Sequence, residues 1–208
     1  MNRSATELGI PATRLLRWVD NFATRHGRTR VAVDAGELTG RAVDGSMFIA
    51  SLPFGSVYAG RPDVAAFAAA ATPPPDWGVL LVRKGGFAIA RLAGTELVDH
   101  KIGQRHVQGR SKAGGWSQQR FARRRANQAR EAYEAAADHA SRILDGVTGP
   151  VVTGGDHRAV EEVLTDARLR RLSVTPPWLA VPDPKRDTLE QAIADASAVR
   201  IEVLNADS

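Results

Sequence analysis

The sequence predicts an α/β (α+β) protein, a mixed β-sheet with packed helices, preceded by a small N-terminal α+β region. Three observations carry that prediction. After residue 76, three apolar strand-like segments follow one another directly, and beyond them strand and helix patterns alternate, the order expected of a mixed sheet covered by helices. The run "TPPPD", Thr72–Asp76, cannot continue a helix and favours an extended spacer. It sets the boundary between a small region, 1–75, and a larger domain, 76–208. Finally, 208 residues with 43% apolar and 25% charged side chains are enough to bury a real core and have ordinary globular composition.

Each element has a local reason. In Thr13–His26, Leu15, Leu16, Val19, Phe22 and Ala23 recur at helical spacing, and Gly27 stops the run. "RVAVDAG" and "GSMFIASLPF" read as strands, and "RPDVAAFAAAAT" as a short helix starting at Pro62 or Asp63. Beyond the prolines, "WGVLLVRKG", "GFAIARLAG" and "TELVDHKI" form a β-meander through turns at Lys84-Gly85-Gly86 and Ala93-Gly94. A long helix is expected from Ser117 to about Leu144, with Ala122, Ala126, Ala129, Tyr133, Ala136, Ala140 and Leu144 on one stripe and Asp145-Gly146 ending it. "GPVVTGG" reads as a buried strand feeding a helix over Asp156–Leu164; "LRRLSVT" as a strand, "TLEQAIADASA" as a helix and "VRIEVL" as a closing strand.

Composition excludes several functions. Without cysteine there are no disulfides, thiolate nucleophiles or cysteine-bound zinc. No apolar run approaches the ~18 residues of a membrane span, so a cytoplasmic protein without a membrane partner is expected. The formal charge of +5 is unevenly spread: Lys101–Arg130 holds nine Lys or Arg and no acid, leaving 19 basic against 23 acidic residues elsewhere. A block of one sign repels itself unless a polyanion neutralises it, and nucleic-acid phosphate is the commonest.

Catalytic patterns are sparse. The five histidines show no metal-ligand spacing, and neither a metal nor any other cofactor is expected. "TGGDHRAVEEV" is a strand–glycine–helix turn lacking the Lys and Ser/Thr of a P-loop, so His157 reads as structural. Asp34, Glu37 and Asp44 belong to hairpin turns, which collect acids in any case. What stands out is "QGRSKAGGWSQQRFARRRANQAR", Gln108–Arg130, where paired glycines precede paired glutamines and an arginine-rich helix. Gly114 and Gly115 let the backbone approach a ligand closely. A glutamine amide does not titrate near neutral pH, but it can position a water or donate to a developing oxyanion. A Gly-Gly-Gln loop above a basic helix thus suits hydrolysis of an ester on a nucleic acid.

The stretch "GRSKAGGWSQQRFARRRANQAREAYEAAA", with the meander before it, resembles the catalytic middle domain of eukaryotic and archaeal class I peptide-chain release factors. That domain, of ribonuclease H-like fold, carries a GGQ loop leading into a long helix with a similar "RFAR" start. Aligned on Arg120–Arg123, Trp116 falls where their glutamine lies. The VLRF branch of the superfamily, which includes the eukaryotic peptidyl-tRNA hydrolase of ribosome quality control and stand-alone actinobacterial proteins, has a glutamine slightly later, and Gln118 matches it; Gln119 is the neighbouring alternative. The resemblance spans about Trp77–Leu204. It implies hydrolysis of peptidyl-tRNA on the large ribosomal subunit, rescuing stalled nascent chains. Gln118 would position the attacking water, Gly114 and Gly115 would admit the loop, and Lys112, Arg120, Arg123, Arg124 and Arg125 would hold ribosomal RNA or the tRNA acceptor end. The N-terminal region lacks the pattern of a decoding domain, so stop-codon reading is not implied. Two rivals come from other classes: a non-catalytic ribosome- or RNA-binding module, for which the glutamine is idle, and a nuclease, which needs converging carboxylates.

Overall fold

The computed structural model describes residues 5–104 and 116–206, with side chains described for 5–103 and 129–206. The chain forms two compact units, one of 1–73 with 194–208 and one of 74–193.

The first unit is a five-stranded antiparallel sheet in the order β1 (Ala5–Ile10), β10 (Val199–Leu204), β4 (Met47–Ser51), β3 (Glu37–Ala42), β2 (Thr29–Asp34). Its strands alternate in burial: Leu38, Ala42, Phe48, Ala50, Ile201 and Val203 point into a core, while Arg30, Thr39, Arg41, Ile49 and Glu202 lie on the opposite face. The helices α1 (Leu15–His26) and α2 (Val64–Ala70) supply the other half of that core. Leu15, Val19 and Phe22 are the buried stripe of α1. The Phe22 and Phe48 rings meet edge to face at 5.2 Å, and Trp18 stacks on Phe22 at 5.6 Å. Asp63 starts α2 by accepting the Ala66 N–H at 2.7 Å, an ordinary N-cap.

The second unit is a mixed sheet in the order β7 (Glu96–Gln104), β6 (Gly86–Ala93), β5 (Trp77–Arg83), β8 (Pro150–Gly155), β9 (Ser173–Leu179). The meander β5–β6–β7 is antiparallel, and β5–β8 and β8–β9 are parallel. Central β5 is buried from Trp77 to Val82, the mark of a strand covered on both faces. The helices α3 (Trp116–Ile143) and α4 (His157–Leu164) cover one of them, packing on Leu80, Val82, Phe87 and Ile89, and α5 (Arg186–Ala196) precedes β10 in the chain. The mixed sheet with packed helices and the α+β N-terminal region are both present.

Three expectations change. The closing strand "VRIEVL" was assigned to the 76–208 domain, but β10 pairs with β1 and β4 and completes the N-terminal unit. Its alternation of Val199, Ile201 and Val203 fits either sheet, and only long-range pairing decides. Strands β1 and β3 were not expected at all. The strand read as "LRRLSVT" starts later and runs through Pro176 and Pro177. Prolines, lacking an N–H, are tolerated because β9 is the sheet edge.

Candidate functional site

In the sequence of the second unit the paired glycines fall between β7 and α3, and the paired glutamines belong to the start of α3. Gly103, near the end of β7, faces Phe87 of β6. A Cβ there would fall 2.4 Å from a Phe87 ring carbon, so only glycine lets the ring lie across the strand. That ring then meets the His139 imidazole of α3, with centroids 5.4 Å apart. The end of β7 and the body of α3 are therefore tied to the same side chain.

From Ala132 onward α3 is anchored. Ala132, Ala136, Ala137, Ala140 and Ile143, with Leu144 just beyond, are buried against the sheet, so the alanine stripe read from the sequence is the packing face where side chains are described. Small residues let helix and sheet approach closely. Tyr133 is partly buried, and burial first, then the nearby Asp156 and Glu162 charges, pushes its phenol above the usual range. His139 is held below the ordinary imidazole range by burial, then by the positive charges of Arg142 and Lys101, with Asp138 opposing. Arg142 donates to His139 Nδ1 at 2.7 Å, which requires the neutral ring. On the exposed side, Arg168 donates to Asp138 at 2.7 Å and to Asp166 at 2.6 and 2.9 Å. The Arg168 side chain and its N–H lower Asp166 to about 2. This bridge joins α3 to the 3-10 turn Ala167–Leu169.

At 28 residues, α3 is about 42 Å long. Gln118 is its third residue, and Arg120, Arg123, Arg124 and Arg125 fall within its first ten. Their side chains, and all of Lys112, Gly114 and Gly115, lie outside the described residues. No acid occupies the first turn of α3. The first carboxylate along the helix is Glu131, and Arg130 pairs with Glu134 one turn on at 3.6 Å. In sequence, the run of basic residues without an acid thus ends just ahead of the anchored part.

Other candidates resolve structurally. Asp156 accepts from the Arg158 and Ala159 N–H groups and caps α4, and His157 stacks on Trp178 at 3.7 Å. Asp34 and Glu37 oppose each other in the β2–β3 hairpin, and Asp44 pairs with His26 at 2.9 Å. Among the described residues no three His, Cys, Asp or Glu side chains come together as a metal site, and no helix is long and apolar enough to cross a membrane. Sequence reasoning missed the Asp76 junction. Arg91 donates to both Asp76 oxygens at 3.0 and 3.3 Å, and Thr148 donates its N–H at 2.9 Å. Burial alone would raise this carboxyl, but the Thr148 N–H and the Arg91 guanidinium outweigh it and hold it below its usual range. The signal was a lone aspartate beside three prolines, which reads as a linker.

The second unit thus sets a meander ahead of a segment with paired glycines and a long helix whose start is basic in sequence, the order of elements that the release-factor resemblance implies. Residues 75–202 match the family described as Actinobacteria/chloroflexi VLRF1 release factor, and the chain belongs to that family. No curated protein matches the chain. Among solved structures, the archaeal translation termination factor aRF1 is similar at 17% identity and a TM-score of 0.43, over 92% of this chain and 64% of that one. Pelota of Archaeoglobus fulgidus is similar at 12% identity and a TM-score of 0.31, over 92% and 61%. The chain spans less than two thirds of either.

Proposed function

We propose that this protein is a peptidyl-tRNA hydrolase that cleaves the ester between nascent peptide and tRNA on the large ribosomal subunit, releasing stalled chains in ribosome quality control. The observation that carries the reading is the family match, because its span includes the whole of β7, the segment 105–115 and α3. In this mechanism Gly114 and Gly115 allow the loop into the peptidyl-transferase centre, and the Gln118 amide orients the attacking water or donates to the oxyanion formed at the ester carbonyl. The position of Gln118 supports the role: in the first turn of a helix the backbone N–H groups lack intrahelical partners, and the dipole favours negative charge. Lys112, Arg120, Arg123, Arg124 and Arg125 grip ribosomal RNA or the tRNA acceptor end. The substrate supplies the leaving group, and the protein supplies placement.

The test is peptide release from purified large subunits carrying peptidyl-tRNA, with and without the chain, alongside Arg123→Glu/Arg124→Glu. If about five phosphate contacts form, log affinity falls with log salt at a slope of about −4. The double reversal should abolish association and release while leaving the thermal midpoint nearly unchanged. Association without release favours a non-catalytic binding module. A slope near zero makes the arginines structural.

A further inference from the structure

The first unit carries its own uncompensated charge. Helices α1 and α2 cover one face of the β1–β10–β4–β3–β2 sheet. On the opposite face Arg30 and Arg41 are direct cross-strand partners, and both are exposed. Side chains directly opposite each other stand about 5 Å apart at Cβ, and like charges there repel. Arg28 extends the group: it sits two residues before Arg30, about 7 Å along the strand, and its carbonyl accepts the Val43 N–H. The three line a shallow depression of about 550 Å³ together with Thr39 and Met47.

Among the described residues, none of the three guanidinium groups is ion-paired. Asp34 also borders the depression, but it is four residues from Arg30, about 13 Å along the strand. The same sheet face solves the problem differently elsewhere, where Arg200 is paired with Glu7. A cluster that repels itself and has no internal counter-ion is stable when an external polyanion supplies one.

We propose that the Arg28–Arg30–Arg41 face is a second RNA-binding surface, separate from the basic start of α3, and that it grips the phosphate backbone. RNA is favoured over an acidic protein because the chain belongs to a release-factor family and because three guanidinium groups of one sign, unpaired among the described residues, meet on this face, the charge complement of a phosphate backbone. The open-face positions of β2, β3 and β4 carry no aromatic side chain, so bases have nothing to stack on. The contact is therefore to backbone and indifferent to sequence.

The test uses the full chain and a labelled RNA duplex of arbitrary sequence, titrated over a range of salt. In Arg28→Gln/Arg30→Gln/Arg41→Gln, the slope of log affinity against log salt should become shallower by about 2 to 3, roughly 0.7 to 0.9 per lost phosphate contact. The thermal midpoint should hold or rise, since repulsion is relieved. The corresponding triple lysine variant should keep the parental slope. If the triple glutamine variant does not fold, Arg41→Gln alone should lower the slope by about 1. An unchanged slope in a folded glutamine variant overturns the proposal, as does arginine-dependent binding of polyglutamate that exceeds that of RNA. Gln118 and the α3 arginines are intact in every variant, so failure here leaves the hydrolase reading untouched.

Discussion

Single residues decide how closely the layers of this protein approach, and two glycines show it. Gly40 sits in β3 where a Cβ would lie 2.0 Å from a Phe48 ring carbon, and Phe48 is fully buried. That glycine is also why β3 was illegible in "ELTGRA": it weakens strand propensity and breaks the alternation, and its reason appears only when Phe48 arrives from the next strand. Gly103 holds the same relation to Phe87. Gly103→Ala should destabilise the second unit by about 1–3 kcal/mol, the range for overpacking a filled site, because the Phe87 ring is also held by His139. Chemical denaturation would measure it, and wild-type stability would mean the ring moves freely.

At the scale of elements, the helices were the most readable. The helical spacing of Leu15, Leu16, Val19, Phe22 and Ala23 foretold α1, whose buried face is Leu15, Val19 and Phe22 while Leu16 is exposed. Of the longer stripe read for α3, Ala136, Ala140 and Leu144 are buried. A 3.6-residue period has few competing explanations. Strands with one polar face were harder. "ATELGI" contains too few β-branched residues to announce β1, which exists because β10 offers it an edge. The Asp138–Arg168–Asp166 bridge is an element-scale tie with a pH signature. Asp166 is lowered from 3.8 to about 2 in the folded chain. A carboxylate lowered on folding contributes stability above its unfolded value and loses it as pH falls through the folded one. The denaturation midpoint should therefore fall between about pH 4 and pH 2, and Asp166→Asn should be flatter over that window. Parallel curves for the two proteins would show that the bridge contributes nothing.

For the whole molecule, the proline break was readable but the return of the chain was not. β10 lies between β1 and β4, so the first unit is built from both ends of the sequence. Val199 and Ile201 are fully buried in its core. A fragment of residues 1–193 therefore lacks a central strand. It should lose cooperative unfolding of the first unit, whereas residues 74–193 should fold alone; hydrogen exchange would report both, and protected amides in β4 of the 1–193 fragment would contradict the account. The basic window was legible as charge, and its place at the start of α3 follows from the helix period. Periodicity says nothing of the chemistry proposed for it, because a single amide leaves no repeating pattern.

The most direct measurement is single-turnover release of labelled peptide from large subunits bearing peptidyl-tRNA, comparing the parent chain with Gln118→Ala and Gln119→Ala. Loss of the Gln118 amide should slow release by about 10²–10³-fold, the range for one oxyanion-type donor, with subunit binding nearly unchanged. Gln119→Ala should be far milder, since the next residue on a helix points about 100° away. Full activity in Gln118→Ala would contradict the assignment, and full activity with both glutamines replaced would mean that neither amide takes part in the hydrolysis.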